Sequence, residues 1–322
     1  MIQKLKSNNL LSTLLIIMCL IIIINPTLYA KTCLDAISVW AFKVLPLLFP
    51  FFIFTRLIVN LNTNKVNVLD KFFNKAYNTP QGSFKTFFLS VLSGYPMGAK
   101  LICTMHENQT INHKDATKLL SFCSVSGPMF MLGTVGIMML KSYKAGLIVL
   151  ISNIFAALIN GLIYRGKKET YMPAQAIYRQ KSNILADSVY DSLISILMVG
   201  SYIVLSFLVI EILHTLHIFD FLTNTICGVF NLNNYHNVVN SILCGSIEIT
   251  RGILDLSLTN ISLFSKTIIA SSLVGFGGLS VMMQSLNFLS RLNISVKTML
   301  CQKTTQCLLC ALISTIFCLI FL

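Results

Sequence analysis

The feature that most constrains this chain is a pair of apolar runs, each broken at its centre. From Phe84 to Leu140 the sequence reads FKTFFLSVLSGYPMGAK, then a short polar loop, then KLLSFCSVSGPMFMLGTVGIMML. The first run is interrupted at Gly94-Tyr95-Pro96-Met97-Gly98 and the second at Ser124-Val125-Ser126-Gly127-Pro128. Gly and Pro at such places release backbone N–H and C=O groups. A lipid-facing segment has no water to satisfy them, so these breaks survive only where they are buried in protein or line a polar cavity. A matching pair of breaks is expected in the second half, around Gly245 and Gly275. Interrupted segments in corresponding positions of two halves point to a transporter's binding site.

The chain is 55% hydrophobic and only 11% charged, against about 25% charged in a soluble domain. It therefore reads as an integral membrane protein, and 322 residues suffice for about seven crossings of roughly 20 residues each. The net charge of +13 needs no nucleic acid, because Lys and Arg collect on the cytoplasmic side of membrane proteins. The ten cysteines are scattered. Cys307 and Cys310 form the C-x-x-C, inside an apolar run, so cysteine reads as small apolar filler rather than a metal or disulfide framework. The sequence has no H-E-x-x-H, Walker loop, G-x-S-x-G or dinucleotide fingerprint, and neither an enzyme nor a cofactor is expected.

In chain order, residues 1–30 are expected to form an N-terminal transmembrane helix, with a cleaved signal as the rival reading. Residues 31–164 form a first repeat: an interfacial helix turning into a span over Cys33–Leu61, a re-entrant hairpin at 84–105, a broken helix at 115–140 and a return span. Residues 165–187 are a polar, cytoplasmic linker. Residues 188–322 form a second repeat, with its hairpin at 238–256 and broken helix at 263–289. The repeat rests on spacing: Gly94 and Lys100 fall opposite Gly245 and Arg251 at an offset of 151, and Gly127 opposite Gly275 at 148.

Orientation follows from the basic residues. With the N-terminus inside, inside segments hold fourteen: Lys4, Lys6, Lys65, Lys71, Lys75, Lys114, Lys118, Arg165, Lys167, Lys168, Arg179, Lys181, Arg291 and Lys297. Outside segments hold five, Lys31, Lys43, Lys141, Lys144 and Lys266; the rest lie within spans or hairpins. The excess favours this assignment. It makes the hairpins enter from opposite sides. The expected fold is an all-α membrane protein of two inverted-topology repeats, each with a re-entrant hairpin and a broken helix.

Each returning half-helix starts near the centre of the bilayer, and helix N-termini favour anions. Pro128 suits a first helical position, with Ser126 and Gly127 before it. Lys100 and Arg251 fall in the first turns after the hairpin breaks. A cation at bilayer depth costs about 2.5–3.5 kcal/mol, and two of them suggest a substrate charged at both ends, such as a small dicarboxylate. Two plainer readings stay open: Lys100 snorkels to the interface, and Arg251 pairs with Glu248 at i,i+3. Glu248 is then either that structural partner or a site for a coupling proton or sodium ion. The candidate substrate-binding residues are Lys100, Arg251, Gly94, Tyr95, Ser126, Gly127, Ser272, Gly275 and Gly277, with serines that equally bond back to their own helices.

At FPFF (49–52), LSGYPMGAK (92–100), SFC…SGPMF (121–130), EITRG (248–252) and FGGLS (276–280) the sequence resembles the YlbJ family of sporulation integral membrane proteins, which carries a nucleoside-transporter/FeoB Gate domain. The resemblance covers roughly residues 40–320. It implies an endospore-forming bacterium, placement in the outer forespore membrane, and transport of dipicolinic acid, a rigid pyridine dicarboxylate. It also implies the hairpin-plus-broken-helix core. Ser124-Val125 and Met282 depart from the family pattern, which has Asn and His there, so substrate detail and proton coupling are the points in question. The alternatives are a non-transporting assembly factor for spore cortex formation and a transporter of nucleosides or another small solute.

Overall fold

The computed structural model describes residues 2–60, 68–167, 183–292 and 294–322, with side chains from residue 12 onward and through residue 58 in the first stretch. Lys65, Lys168, Arg179 and Lys181, and the side chains of Lys4 and Lys6, lie outside the described residues.

The described chain is helical. Helix α1 (Ile2–Ile24) ends before Asn25, and α2 (Pro26–Val39) starts on a proline, whose missing N–H would have no partner there. A wide turn at Trp40–Val44 carries the helix into α3 (Leu45–Asn60). The expected change of direction before this span is absent: Pro26–Ile58 runs as one apolar helix of 33 residues. The wide turn precedes Pro46 and spares its missing donor. Then come α4 (Val68–Tyr77), α5 (Ser83–Ser93), α6 (Met97–Glu107) and α7 (His113–Cys123). The chain leaves the helix over 124–127, re-enters it at Pro128 and passes into a wide-turn helical segment, Phe130–Met139. Helix α8 is Tyr143–Ile163 and α9 is Ile184–Thr215. A shorter α10 (Ile218–Phe230) follows α9. The rest is α11 (His236–Ile247), α12 (Ile249–Ser257), α13 (Leu263–Phe276), α14 (Gly278–Leu289) and α15 (Val296–Phe321).

Among the described residues, five helical stretches are long and apolar enough to cross a membrane: Pro26–Ile58, Tyr143–Ile163, Ile184–Thr215, Leu263–Leu292 and Val296–Phe321. Their outward faces are apolar, as Phe42, Phe155, Leu312 and Leu319 show. The interior holds much of the polar inventory, including Ser90, Thr134, Ser152, Asn153, Asn160, Ser192 and Ser285. This is the pattern of a bundle solvated by lipid, where small residues let helices close up and polar side chains tie them together.

Two contacts show the packing logic. Gly200 on α9 faces the indole of Trp40, and a Cβ there would come 2.6 Å from the ring. The indole N–H then reaches the Ile196 carbonyl at 3.2 Å. Asn160 on α8 donates to the carbonyls of Ser121 at 2.7 Å and Gln302 at 3.1 Å, joining α7, α8 and α15. Below the first hairpin, Phe73, Tyr77, Phe87 and Phe122 form an aromatic cluster, with Tyr77 stacked on Phe122 at 4.8 Å.

Candidate functional site

The turn between α5 and α6 and the gap between α7 and the Phe130–Met139 segment meet face to face. Gly94 has φ 67° and ψ −165°, open to glycine and strained for other residues. A Cβ on Gly94 would lie 2.4 Å from the Gly127 nitrogen, so two backbones touch where the two breaks cross. Gly98, one turn later, lies equally close to the Cys123 carbonyl. The clustering of Gly at the two breaks thus serves their mutual approach as much as the turns themselves.

Lys303 of α15 reaches into this crossing. It is 2% exposed. Its ammonium donates to the Tyr95 hydroxyl, to the Ser124 carbonyl and, at 2.9 Å, to the Gln306 side-chain oxygen. The Tyr95 hydroxyl itself donates to the Ser124 carbonyl at 2.9 Å. The hairpin tip, the break and the last helix are therefore tied at one point. Buried side-chain atoms without a hydrogen-bond partner also gather here. Among the described residues there are seven such atoms, and Ser93 Oγ, Ser124 Oγ, Gln302 Oε1 and Gln306 Nε2 belong to the tip, the break and the face of α15 beside Lys303. Unused hydrogen-bonding capacity at a crossing of interrupted segments is what a binding site retains.

The second hairpin turns at Glu248, three residues beyond the expected break at Gly245. Glu248 is extended (φ −140°, ψ 117°), which any residue adopts, and its carboxylate caps α12 by accepting from the Arg251 N–H at 2.7 Å and from the Thr250 hydroxyl. Gly245 has a packing role instead: a Cβ on Gly252 would sit 2.2 Å from its Cα, so the arms α11 and α12 close on these two glycines. The second broken helix is interrupted at Gly277 (φ 88°), not at Gly275, which abuts Cys310 of α15.

Two cavities flank the crossing. The deeper one, about 60 Å³, is bordered by Gly94, Tyr95, Ser126, Gly127, Glu248 and Gln284, with Phe51, Phe52 and Phe130 supplying aromatic wall. It has room for a few waters. The wider one, about 320 Å³, shares Phe52, Ser93 and Tyr95 with the first, and Arg56, Lys100 and Asp191 are the charged residues among those that line it. That volume is at the lower end of small-molecule sites. Arg56 is held by Asp191 at 3.0 Å and by Ser195, and the Lys100 ammonium lies 4.0 Å from the same carboxylate.

The structure brings together Gly94, Tyr95, Ser126, Gly127 and Glu248 at the deep cavity and puts Lys100 on the wide one. Gly277 lies at the hydroxyl end of Tyr95. Arg251, Ser272 and Gly275 line neither cavity. Ser272 bonds back to the Ile268 carbonyl at 2.9 Å. The Arg251 guanidinium pairs with Asp255 at 2.9 Å and lies 5.4 Å from the Phe207 ring centroid. Arg251 thus shares no cavity with Lys100, and Glu248 is not its side-chain partner. The cation that does join Lys100 is Arg56. Its signal was present in the sequence, since an arginine inside an apolar span is a functional-site hypothesis by default. Lys303, flanked by Gln302 and Gln306 in the last apolar run, gave the same signal.

Over 302 residues the chain is 28% identical to Sporulation integral membrane protein YlbJ of Bacillus subtilis (strain 168), an alignment that spans 86% of this chain and 74% of that protein. No family model matches the sequence, and no solved structure matches it. With its apolar helices and this similarity, the chain is a multi-pass integral membrane protein.

Proposed function

We propose that this chain is a secondary transporter that moves a small dicarboxylate, dipicolinate, across the outer forespore membrane of a spore-forming bacterium. The observation that carries the reading is the wide cavity at the first hairpin turn, where Arg56 and Lys100 face a volume of about 320 Å³ with Asp191 as the acidic residue of the lining. A site of that size with excess positive charge suits a compact anion. The similarity to a protein named for sporulation and for the membrane supports the setting. The order hairpin, interrupted helix, long helix occurs twice along the chain. We read these as inverted repeats of a seven-span protein working by alternating access, with a proton or sodium ion as the coupling species.

The test is movement of labelled dipicolinate in proteoliposomes. Flux is expected in the parent chain and lost in Lys100→Gln and Arg56→Gln, with Arg251→Lys retaining it. Flux that survives both cavity substitutions removes the site. No flux under any ion gradient removes the transport reading in favour of a membrane assembly factor for the spore cortex. A second reading keeps transport and changes the solute. Apart from Glu248 the lining of the deep cavity is apolar and neutral-polar, and it meets the wide cavity at Phe52, Ser93 and Tyr95. An uncharged ring solute such as a nucleoside would span the two, and competition between nucleoside and dipicolinate separates the readings.

A further inference from the structure

Lys303 is not used by the proposed solute site, yet it is among the most completely buried charged side chains of the described residues. Its three ammonium hydrogens meet three oxygen acceptors: the Tyr95 hydroxyl, the Ser124 carbonyl and the Gln306 amide oxygen. The Tyr95 hydroxyl spends its own hydrogen on the Ser124 carbonyl, so all three oxygens face the amine as acceptors, which three ammonium hydrogens satisfy and a neutral amine's lone pair would not. Among the described residues no carboxylate hydrogen-bonds or ion-pairs with it. The Tyr95 ring centroid, 4.8 Å away, adds a π face. The charge is met by neutral oxygens and a ring.

The origin of those oxygens matters. Ser124 follows α7 directly, so its carbonyl belongs to the end of a half-helix that carries partial negative charge. Tyr95 stands at the hairpin tip. Carbonyls of unwound backbone and half-helix C-termini are the groups with which transporters built from interrupted helices hold alkali cations or protons. Ser124 Oγ, buried and without a partner, is a further oxygen at the same place.

We propose that the Lys303 ammonium is a tethered substitute for an alkali cation: it fills a cation site made by the first break, the first hairpin tip and Gln306. Removing the ammonium opens that site to Na⁺ or a small ammonium ion. Any sodium that couples transport in the parent chain binds elsewhere. The inference bears on the coupling of the transport reading, but its test reads ion binding and not flux, so loss of one leaves the other standing.

The experiment is thermal unfolding of the purified full-length chain in detergent, in choline, sodium and methylammonium chloride at equal ionic strength. The parent, Lys303→Ala and Lys303→Gln are compared. The parent Tm is expected to be the same in sodium and choline. Both variants are expected to lose stability in choline and to regain about 2–4 °C in 100 mM sodium. Lys303→Ala is expected to respond to methylammonium as well, and both to bind one ²²Na⁺ per chain that the parent does not. A parent stabilised by sodium in a manner that Lys303→Ala abolishes overturns the proposal. So do variants with the same Tm in all three salts, and variants that cannot be recovered folded even in sodium.

Discussion

At the first hairpin the chain turns through Gly94-Tyr95-Pro96, and the polar groups of the turn look outward, to Ser124 of the neighbouring break and to Lys303 of the last helix. At the second hairpin a single residue turns the chain. Glu248 satisfies its own helix start, and the nearby cation Arg251 is satisfied by Asp255 on the same helix. The breaks differ in the same sense. The first spans 124–127 and leaves the Ser124 hydroxyl unpartnered, whereas the second is a two-residue left-handed turn at Gly277 and Gly278. The first hairpin and break have their polar groups committed to distant partners and keep unused capacity; the second hairpin and break are locally closed. Two segments of like outline can thus differ in what they offer a solute, and the offer follows from where the hydrogen bonds go rather than from where the helices end.

The comparison is broken most severely at its closest approach. Gly94→Ala drives a Cβ into the Gly127 backbone at a left-handed φ and is expected to cost at least ~3 kcal/mol, read as loss of monodisperse protein in detergent. Gly277→Ala has the same sign of φ, but its Cβ would meet only the end of the Tyr95 ring at 3.2 Å, and about 1 kcal/mol is expected. Equal losses would mean the two breaks are not different in kind. Next in size, Tyr95→Phe removes the hydroxyl shared by Ser124 and Lys303, with an expected cost of about 1–3 kcal/mol in thermal or denaturant unfolding. Glu248→Ala removes the cap of α12 and is expected to cost about 0.5–2 kcal/mol, while Glu248→Gln keeps an acceptor oxygen and most of that stability. The smallest effect belongs to Arg251→Lys, below ~1 kcal/mol for a quarter-exposed pair. It is expected to leave solute binding unchanged, in contrast to Lys100→Gln.

The sequence showed the first half more fully than the second, for a physical reason. Gly94 marks the first bend because the chain there takes a left-handed φ and its bare backbone meets that of Gly127, which glycine allows and other residues do not. The turn at Glu248 uses ordinary extended geometry and leaves no compositional trace, so the eye is drawn to Gly245, whose task is packing against Gly252. The limits of the two hairpins and of the second broken helix were legible to within about two residues, whereas the division between 1–30 and Cys33–Leu61 falls instead at Asn25, with one helix running on from Pro26. The partners of buried cations were not. Whether Arg56 meets Asp191 or another acid across 135 residues of chain is decided by how helices stack, which one-dimensional periodicity does not encode.

The amide of Asn160 grips the backbone of α7 and α15 at once, while its oxygen accepts from Thr305 at 2.7 Å, and Gln302 returns a bond to the Thr117 carbonyl at 3.0 Å. These are main-chain anchors, so sliding α15 by one residue, about 1.5 Å, would unfasten them together. Mechanically, α7, α8 and α15 form a chassis. Between α3 and α9 the polar ties are those of Arg56 to Asp191 and Ser195, so displacement is expected to cost less along that seam than through the riveted block.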